Sequence, residues 1–438
     1  YVLIGGMLFP VAAGVYYYWP LVSGRKLSDR LGWIAFWMMF AGFNLAFLPM
    51  HYSGLAGMPR RVWTYPESLG VGTANMISSV GAFVFATGIL IIVWDVLRPR
   101  GNEPYAKRNP WNAGTLEWLV EMPGESWGVR SIPAVTSRYP IWEQPNFIDD
   151  VDKGRFYLPD AVEMKRETII TSVLDGKPLQ CLRVPGPSFI PMIAAVFTGA
   201  VFIFATFHWW AATIVGMGLS TISIMVWLWR GTAVIPEKPE KDVGLGLKLP
   251  LYKSGPHSVG WWAMFIMMMG DATAFLGLVF GYYYFFTIHA DFPPPATVGP
   301  GVLWPSVAFG LFAVTWATAL GARISNQAGR VGRARVLMAA GALVALAASA
   351  ALLWGPYVTG LRPTAHVYPA TVWVIIIWTA VHGVAGSLML GYCLARSLAG
   401  RMTPAHDIDI FNVALYWHFV GLTVIVTVGT LAYLPVLM

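Results

Sequence analysis

The chain has 438 residues, of which 56% are hydrophobic and only 12% are charged, and its net charge is +7. A soluble domain has about 25% charged residues, so this composition excludes a soluble globular protein and indicates lipid as the solvent. The basic residues lie between apolar runs, so we assign them to membrane topology and predict no nucleic-acid partner. The two cysteines lie far apart, which indicates neither a disulfide framework nor a zinc cluster.

Ten apolar runs are long enough to cross a membrane as helices, because a spanning helix needs about 20 mainly apolar residues. Three come first, at residues 2–22, 31–51 and 73–97, and two more form a hairpin at 189–209 and 211–229. The last five cover residues 259–288, 302–322, 336–357, 371–395 and 411–437. We therefore predict an all-α, polytopic transmembrane helical bundle of about ten helices, divided into three plus seven.

A polar segment separates the first three runs from the other seven. Residues 98–187 are rich in Pro, Glu, Asp, Lys and Arg, which is typical of a water-facing linker between two membrane modules. The sequence also starts inside an apolar run and without methionine, so we expect a piece of a longer protein. We predict three regions, a three-helix domain at residues 1–120, a linker at 121–187 and a seven-helix domain at 188–438.

Basic residues are very unevenly distributed between alternate connections. Each of the 29 Lys and Arg residues except Arg60, Arg61 and Arg362 falls on one side of the predicted membrane. Because cytoplasmic loops retain Lys and Arg, we place the linker in the cytoplasm and the C-terminus outside.

Two adjacent arginines follow the second apolar run, in the string Gly57-Met58-Pro59-Arg60-Arg61. Their long side chains can simply snorkel to the membrane surface. Alternatively, guanidinium groups on a loop flanked by Gly and Pro can bind an anion through fork-shaped, charge-assisted hydrogen bonds. Their position on the side that holds few basic residues favours anion binding.

Three ionisable side chains inside the predicted runs are candidates for function. Asp271 is the only carboxylate well inside a run, and such residues usually face the bundle interior and mark a functional or tightly paired site. A structural hydrogen bond to a neighbouring helix is the alternative. His382 and His418 have no second ligand at i+4, which favours structural hydrogen bonding and packing over metal binding or proton transfer. The sequence predicts no metal site.

Several strings are distinctive enough to suggest a family. In the first 120 residues they are Gly42-Phe43-Asn44-Leu45, Pro49-Met50-His51, Gly57-Met58-Pro59-Arg60-Arg61, Ser78-Ser79-Val80-Gly81 and Asn109-Pro110-Trp111. Near the C-terminus they are His382-Gly383, His406-Asp407-Ile408-Asp409 and Tyr416-Trp417-His418-Phe419. The chain thereby resembles a cytochrome c oxidase of the haem-copper family in which subunit I is fused to subunit III. The resemblance covers the last three helices of subunit I and the seven helices of subunit III, leaving the linker unmatched.

The resemblance implies a terminal respiratory oxidase that reduces O2 to water with electrons from cytochrome c and translocates protons. The complete enzyme of this family holds two haems and copper, and Arg60 and Arg61 are implied to contact haem propionates. Asp271 takes the place of a glutamate of subunit III that is associated with support of proton uptake and with lipid contact. The metal ligands of the family lie upstream of the position that Tyr1 occupies, so we expect no catalytic residue and no metal ligand in this chain.

The implied partners are the N-terminal part of subunit I, subunit II, cytochrome c and phospholipid, in a bacterial or archaeal inner membrane. Three alternatives are open. A quinol-oxidising relative would differ in its electron donor, and a proton-coupled secondary transporter would use Asp271 as its coupling carboxylate. The transporter predicts two similar halves, which the division into three plus seven runs does not provide. A non-catalytic scaffold that binds lipid is the third alternative.

Overall fold

The computed structural model describes residues 1–99, 109–119, 133–155, 166–172, 174–186, 188–231, 235–243, 246–295, 297 and 299–437. The chain divides into two compact units, Tyr1–Pro159 and Asp160–Met438. The described residues are mainly helical, so the predicted all-α membrane architecture is confirmed. Part of the predicted linker at 121–187 lies outside the described residues, and the predicted region boundaries stay predictions.

The first unit contains three long helices, α1 (Phe9–Ser23), α2 (Asp29–Leu55) and α3 (Gly72–Leu97), and a π-helical turn at Ile4–Leu8 leads into α1. Helix α2 begins at Asp29 because the Ser28 side chain accepts a hydrogen bond from the backbone N–H of Leu31. Helices α2 and α3 pack with their backbones in contact at glycines. A Cβ atom built on Gly81 would lie 2.3 Å from the backbone nitrogen of Ala46. Small residues allow this approach, as is common between membrane helices.

A buried carboxylate fixes the connection between α1 and α2. Asp95, near the end of α3, is fully buried and accepts hydrogen bonds from Ser28 N at 2.9 Å and from Arg98 Nε at 2.7 Å. The unit ends with two short helices, α4 (Pro140–Glu143) and α5 (Phe147–Asp152). Phe147 of α5 packs in a small apolar cluster with Leu119.

The second unit begins with a helical hairpin that has two short strands before it in sequence and two after it. Its elements are β1 (Arg166–Thr171), β2 (Pro178–Val184), α6 (Ile190–Thr206), α7 (Trp210–Gly231), β3 (Glu240–Asp242) and β4 (Lys248–Pro250). Strands β1 and β2 pair antiparallel, as do β3 and β4, and β2 contacts β4. The two ends of the α6–α7 hairpin are therefore joined through the strands that flank it.

Ion pairs hold this β structure together. Arg183 of β2 lies 3.1 Å from Glu167 of β1 and 2.7 Å from Glu237, which precedes β3. The Glu167 carboxylate is buried and also pairs with Lys241. The guanidinium of Arg183 lowers the pKa of Glu237 to about 2, and burial beside Glu167 raises the pKa of the Cys181 thiol to about 11. Composition alone predicted only a polar linker here.

Five long helices complete the second unit as a bundle. They are α8 (Val259–Ile288), α9 (Leu303–Gln327), α10 (Val331–Val358), α11 (Val367–Leu398) and α12 (Ile408–Val428), and a π-helical turn at Gly429–Tyr433 leads to α13 (Leu434–Leu437). Trp417 is fully buried at the centre and packs near Phe312. Gly386 makes room for this indole, since a Cβ atom there would lie 2.7 Å from Trp417 Cζ2.

Eight of the ten predicted runs form helices that are long and apolar enough, by length and composition, to cross a membrane. These eight are α2, α3 and α7 through α12, the last together with its π-helical turn, within the part of the chain that the structure describes. The run at residues 189–209 contains the shorter, 17-residue α6. The run at 2–22 is helical, but the π-helical turn leaves only 15 residues in α1. The chain is a multi-pass membrane protein.

Candidate functional site

The loop that carries Arg60 and Arg61 is anchored to both of the helices it connects. At the end of α2, Met58 N donates to the carbonyl of Ser53 at 3.0 Å, and Gly57 adopts the left-handed conformation, with φ of 98°. The Ser53 hydroxyl donates to Asn75 Oδ1 of α3 at 2.9 Å, and Asn75 Nδ2 donates to the sulfur of Met58 at 3.4 Å. The loop is thus held in place just before the arginines.

Both arginine side chains are exposed. Arg61 has φ of 61°, which is uncommon for a residue other than glycine and directs the chain sharply after Arg60. Within the described residues neither guanidinium forms an ion pair with a carboxylate. Two adjacent cations on an anchored loop, without an acidic partner in the described chain, fit the carboxylates of an anionic group.

The structure brings together two of the predicted site residues that are far apart in sequence. Asp271, in the middle of α8, and His382, in the middle of α11, approach to 3.7 Å between Oδ2 and Nε2. The Asp271 side chain is 37% exposed and that of His382 is 15% exposed. Sequence reasoning treated each residue as alone on its helix, and only the packing of α8 against α11 shows the pair.

A hydrogen bond to its own helix determines which ring nitrogen of His382 faces Asp271. His382 Nδ1 lies 2.7 Å from the carbonyl oxygen of Trp378. A carbonyl only accepts, so Nδ1 carries a hydrogen, and in a neutral imidazole Nε2 is then an acceptor that faces Asp271. Nε2 and Oδ2 are 3.7 Å apart, which is close enough for an electrostatic interaction but too long for a direct hydrogen bond.

Aromatic residues enclose the imidazole. Its ring stacks on the indole of Trp378 with 3.7 Å between centroids. From α12, the Tyr416 hydroxyl donates to the backbone carbonyl of His382 at 3.2 Å. Trp378 of the same helix therefore holds the imidazole in one orientation, with Nε2 directed at Asp271, while α12 is bonded to the His382 backbone.

His418 belongs to a different part of the bundle. The indole Nε1 of Trp316 donates to His418 Nδ1 at 3.0 Å, and the histidine side chain is exposed. Gly421 makes room for Trp316, since a Cβ atom there would lie 2.4 Å from the ring. This contact is of the kind predicted for a structural polar residue, and that role stays a prediction.

A polar cluster at the start of α12 was missed by the sequence reasoning. Arg396 is 1% exposed, and its Nε lies 2.7 Å from Asp409 Oδ2. Asp407 is also buried, accepts from Gln327 Nε2 at 3.1 Å and is bonded to Ser254. The His406-Asp407-Ile408-Asp409 string was a signal for family resemblance, but nothing in it specified these partners. In the described ranges no group of three or more His, Cys, Asp and Glu side chains is arranged to hold a metal.

The N-terminal part of the chain matches a known protein family. Residues 1–84 match the family model described as "Cytochrome C and Quinol oxidase polypeptide I". The N-terminal part of the chain is therefore similar to an oxidase subunit I. The matched residues contain the whole of α1, α2 and the loop with Arg60 and Arg61.

Three bacterial proteins illustrate the similarity. The chain is 29% identical over 232 residues to "Cytochrome c oxidase subunit 1" of Bacillus subtilis (strain 168), covering 52% of this chain and 34% of that protein. It is 33% identical over 196 residues to the protein of the same name from Bacillus sp. (strain PS3), covering 44% and 28%. Over 145 residues it is 39% identical to that of Corynebacterium diphtheriae, covering 33% and 26%. The chain thus spans about a third or less of the length of these relatives.

Proposed function

We propose that this chain is part of a terminal respiratory oxidase of a bacterial inner membrane. The enzyme would reduce O2 to water with electrons from cytochrome c and couple this reaction to proton translocation. The observation that carries the proposal is the match of residues 1–84 to polypeptide I of the cytochrome c and quinol oxidases, supported by relatives named as cytochrome c oxidase subunit 1. We propose the N-terminal part of subunit I, subunit II, cytochrome c and phospholipid as its partners.

In this proposal Arg60 and Arg61 bind the propionates of haem. The fit rests on two exposed, adjacent guanidinium groups in a loop that is bonded to both α2 and α3. Haem and copper, when bound in the complete enzyme, supply the electron transfer and the oxygen chemistry. The contribution of the arginines is to neutralise and orient carboxylates, which costs little reorganisation because the loop is already anchored.

The second unit is proposed to act as a subunit III. Its division into the α6–α7 hairpin and the five-helix bundle α8–α12 agrees with the two-plus-five arrangement that the resemblance implies. Asp271 supports proton uptake in this proposal, and its pairing with His382 gives it a partner that can hold the proton. His382 and His418 otherwise serve as structural polar residues.

We also propose that the linker is cytoplasmic and that the C-terminus lies outside. Contacts inside the second unit support this topology. Strand β2 from the linker contacts β4 from the connection between α7 and α8, so these two basic segments lie on the same side. Arg401, between α11 and α12, donates to the carbonyl of Trp229 near the end of α7, so a third basic connection contacts the same end of the hairpin.

Replacement of both Arg60 and Arg61 by alanine in the complete oxidase tests the proposal. Loss of two cations beside the propionates favours the oxidised haem, so its midpoint potential should fall by roughly 50 mV per arginine. The matched control is Arg362→Ala, which removes an exposed arginine predicted to lie on the same side. The proposed haem contact is refuted if the double variant assembles with an unchanged midpoint potential and an unchanged visible spectrum.

A quinol-oxidising enzyme is the second candidate, because the matching family model includes quinol oxidases. The two candidates differ in the donor that supports turnover. Oxygen consumption by the purified complex should be rapid with reduced cytochrome c and slow with a reduced quinol. The opposite pair of rates would favour the quinol enzyme and leave the haem contact of the arginines intact.

A further inference from the structure

One face of α12 carries a row of polar side chains that leads to Asp271. Asp409, Asn412 and Tyr416 are spaced i, i+3 and i+7, so they lie above one another on the same side of the helix. Each contacts a neighbouring helix of the bundle, α8 or α11. Polar side chains in a row along a membrane-spanning helix require an explanation, because such groups are costly in hydrocarbon.

The row begins at the polar cluster near the start of α12. Asp409 is paired there with Arg396 of α11, and Asp407 is bonded to Gln327 and Ser254. This end of the bundle also carries the basic connections that indicate the cytoplasmic side. Charged side chains therefore give the row a polar entrance at the end where α12 begins.

The middle of the row contains a polar atom without a partner in the described chain. Asn412 Nδ2 donates to the carbonyl of Gly260 at 3.2 Å, but Asn412 Oδ1 is buried and has no hydrogen-bond partner among the described residues. Native proteins rarely leave such groups unpaired, and internal water is the usual partner.

The row ends at the Asp271–His382 pair. The Tyr416 hydroxyl bonds to the carbonyl of His382, whose Nε2 faces Asp271. Asp271 is the only charged side chain of α8. It lies about 16 Å along this helix from Gly260, the residue whose carbonyl Asn412 contacts. The groups that face the pair are thus His382 itself from α11 and Tyr416 from α12.

Beyond the pair, toward the other end of the bundle, two threonine hydroxyls have hydrogen-bond partners within the protein. The hydroxyls of Thr379 and Thr427 are bonded to each other at 2.8 Å, and Thr379 also donates to the carbonyl of Ile375. Both hydroxyl oxygens have a partner, in contrast to Asn412 Oδ1. This asymmetry favours access to the pair from the end where α12 begins.

We propose that the face of α12 formed by Asp409, Asn412 and Tyr416 holds ordered water and conducts protons between the Asp271–His382 pair and the start of α12. A solvent proton enters at Asp409 and Arg396, passes along water bonded to Asn412, and reaches the pair beside Tyr416. The proton that the pair held leaves by the same water in exchange. The exchange changes neither the net charge of the pair nor any oxidation state.

The proposal deepens the proposed role of Asp271, but the accessibility of the pair does not depend on oxidase turnover. Proton exchange is therefore measured without turnover, on the complete membrane complex in lipid, after transfer into D2O. Infrared difference spectroscopy follows the exchange at the carboxyl band or at the imidazolium band, and Asp271→Asn identifies the signal. A failed haem prediction and a failed exchange prediction are thus distinguishable.

Asn412→Leu removes the amide at almost the same volume and should slow the exchange by about tenfold, because water then has no polar contact in the middle of the row. Tyr416→Phe is a smaller change that should slow it in the same direction, and it tests the proposal if the leucine variant does not assemble. The control is Thr427→Val, which removes a hydroxyl of α12 beyond the pair and should leave the rate within about twofold. The proposal is overturned if Asn412→Leu exchanges at the wild-type rate. If only Tyr416→Phe assembles, a wild-type rate in that variant overturns it. Equal slowing in Thr427→Val would also contradict the proposal.

Discussion

The close approach of α2 and α3 gives the sharpest prediction for stability. In Gly81→Ala the new Cβ atom would lie 2.3 Å from Ala46 N and 2.5 Å from the carbonyl carbon of Leu45. Both are backbone atoms within a helix, so no side-chain rotation can relieve the overlap. Ordinary contact begins at 3.4 Å, and the helices must therefore separate by about 1 Å along this contact.

Overpacking of this kind costs about 1–3 kcal/mol, and the loss of contact between the two helices places Gly81→Ala in the upper part of that range. The control is Gly72→Ala at the first residue of the same helix, where a Cβ atom has no neighbour within 4 Å. That variant should be neutral or slightly stabilising, since alanine restricts the unfolded chain more than glycine does. Unfolding in mixed micelles with increasing SDS measures both free energies. Equal stability of the two variants would refute the backbone contact.

Three further predictions concern charged and reactive groups. Arg183 lowers the pKa of Glu237 to about 2, below its value in the unfolded chain. The ion pair therefore stabilises the β structure above about pH 4.5, and this stabilisation is lost as the pH falls toward 2. Amide hydrogen exchange of β2 measures this pH dependence, which Glu237→Gln should abolish. Cys181 is buried and the pKa of its thiol is raised to about 11, so it should resist alkylation by maleimide at pH 8 until denaturant is added. Mass spectrometry measures the labelling, and rapid labelling of the native protein would contradict the burial of this thiol. Arg396→Ala should lower the free energy of unfolding by about 3 kcal/mol because it leaves the largely buried Asp409 carboxylate without its cation. Replacement of both residues by leucine should recover much of the loss in the same SDS titration.

The helices were predictable from the sequence because each apolar run must satisfy its backbone hydrogen bonds internally in lipid. The lengths were less predictable. The first run is interrupted by the π-helical turn at Ile4–Leu8, and α6 is shorter than the run that contains it. Local hydropathy does not report such backbone irregularities, since the side chains on either side of them are equally apolar.

The candidate site was predictable only in its parts. Asp271 was identifiable because a carboxylate in an apolar run is costly, and Arg60 and Arg61 because they lie on the side with few basic residues. The pairing of Asp271 with His382 depends on which faces of α8 and α11 meet, and helix spacing within one run carries no information about that. The β structure around Glu167 was missed for the same reason, as its ion-pair partners come from both sides of the α6–α7 hairpin.

The ion pair between Arg183 and Glu237 connects the residues that lead into α6 with those that follow α7. This pair restrains the two ends of the hairpin relative to each other outside the apolar region. Tyr252 and Ser254, which lie between β4 and α8, bond to Ile408 and Asp407 at the start of α12. The same set of polar contacts therefore connects the strands beside the hairpin, through β4, to the helix that carries Asn412 and Tyr416.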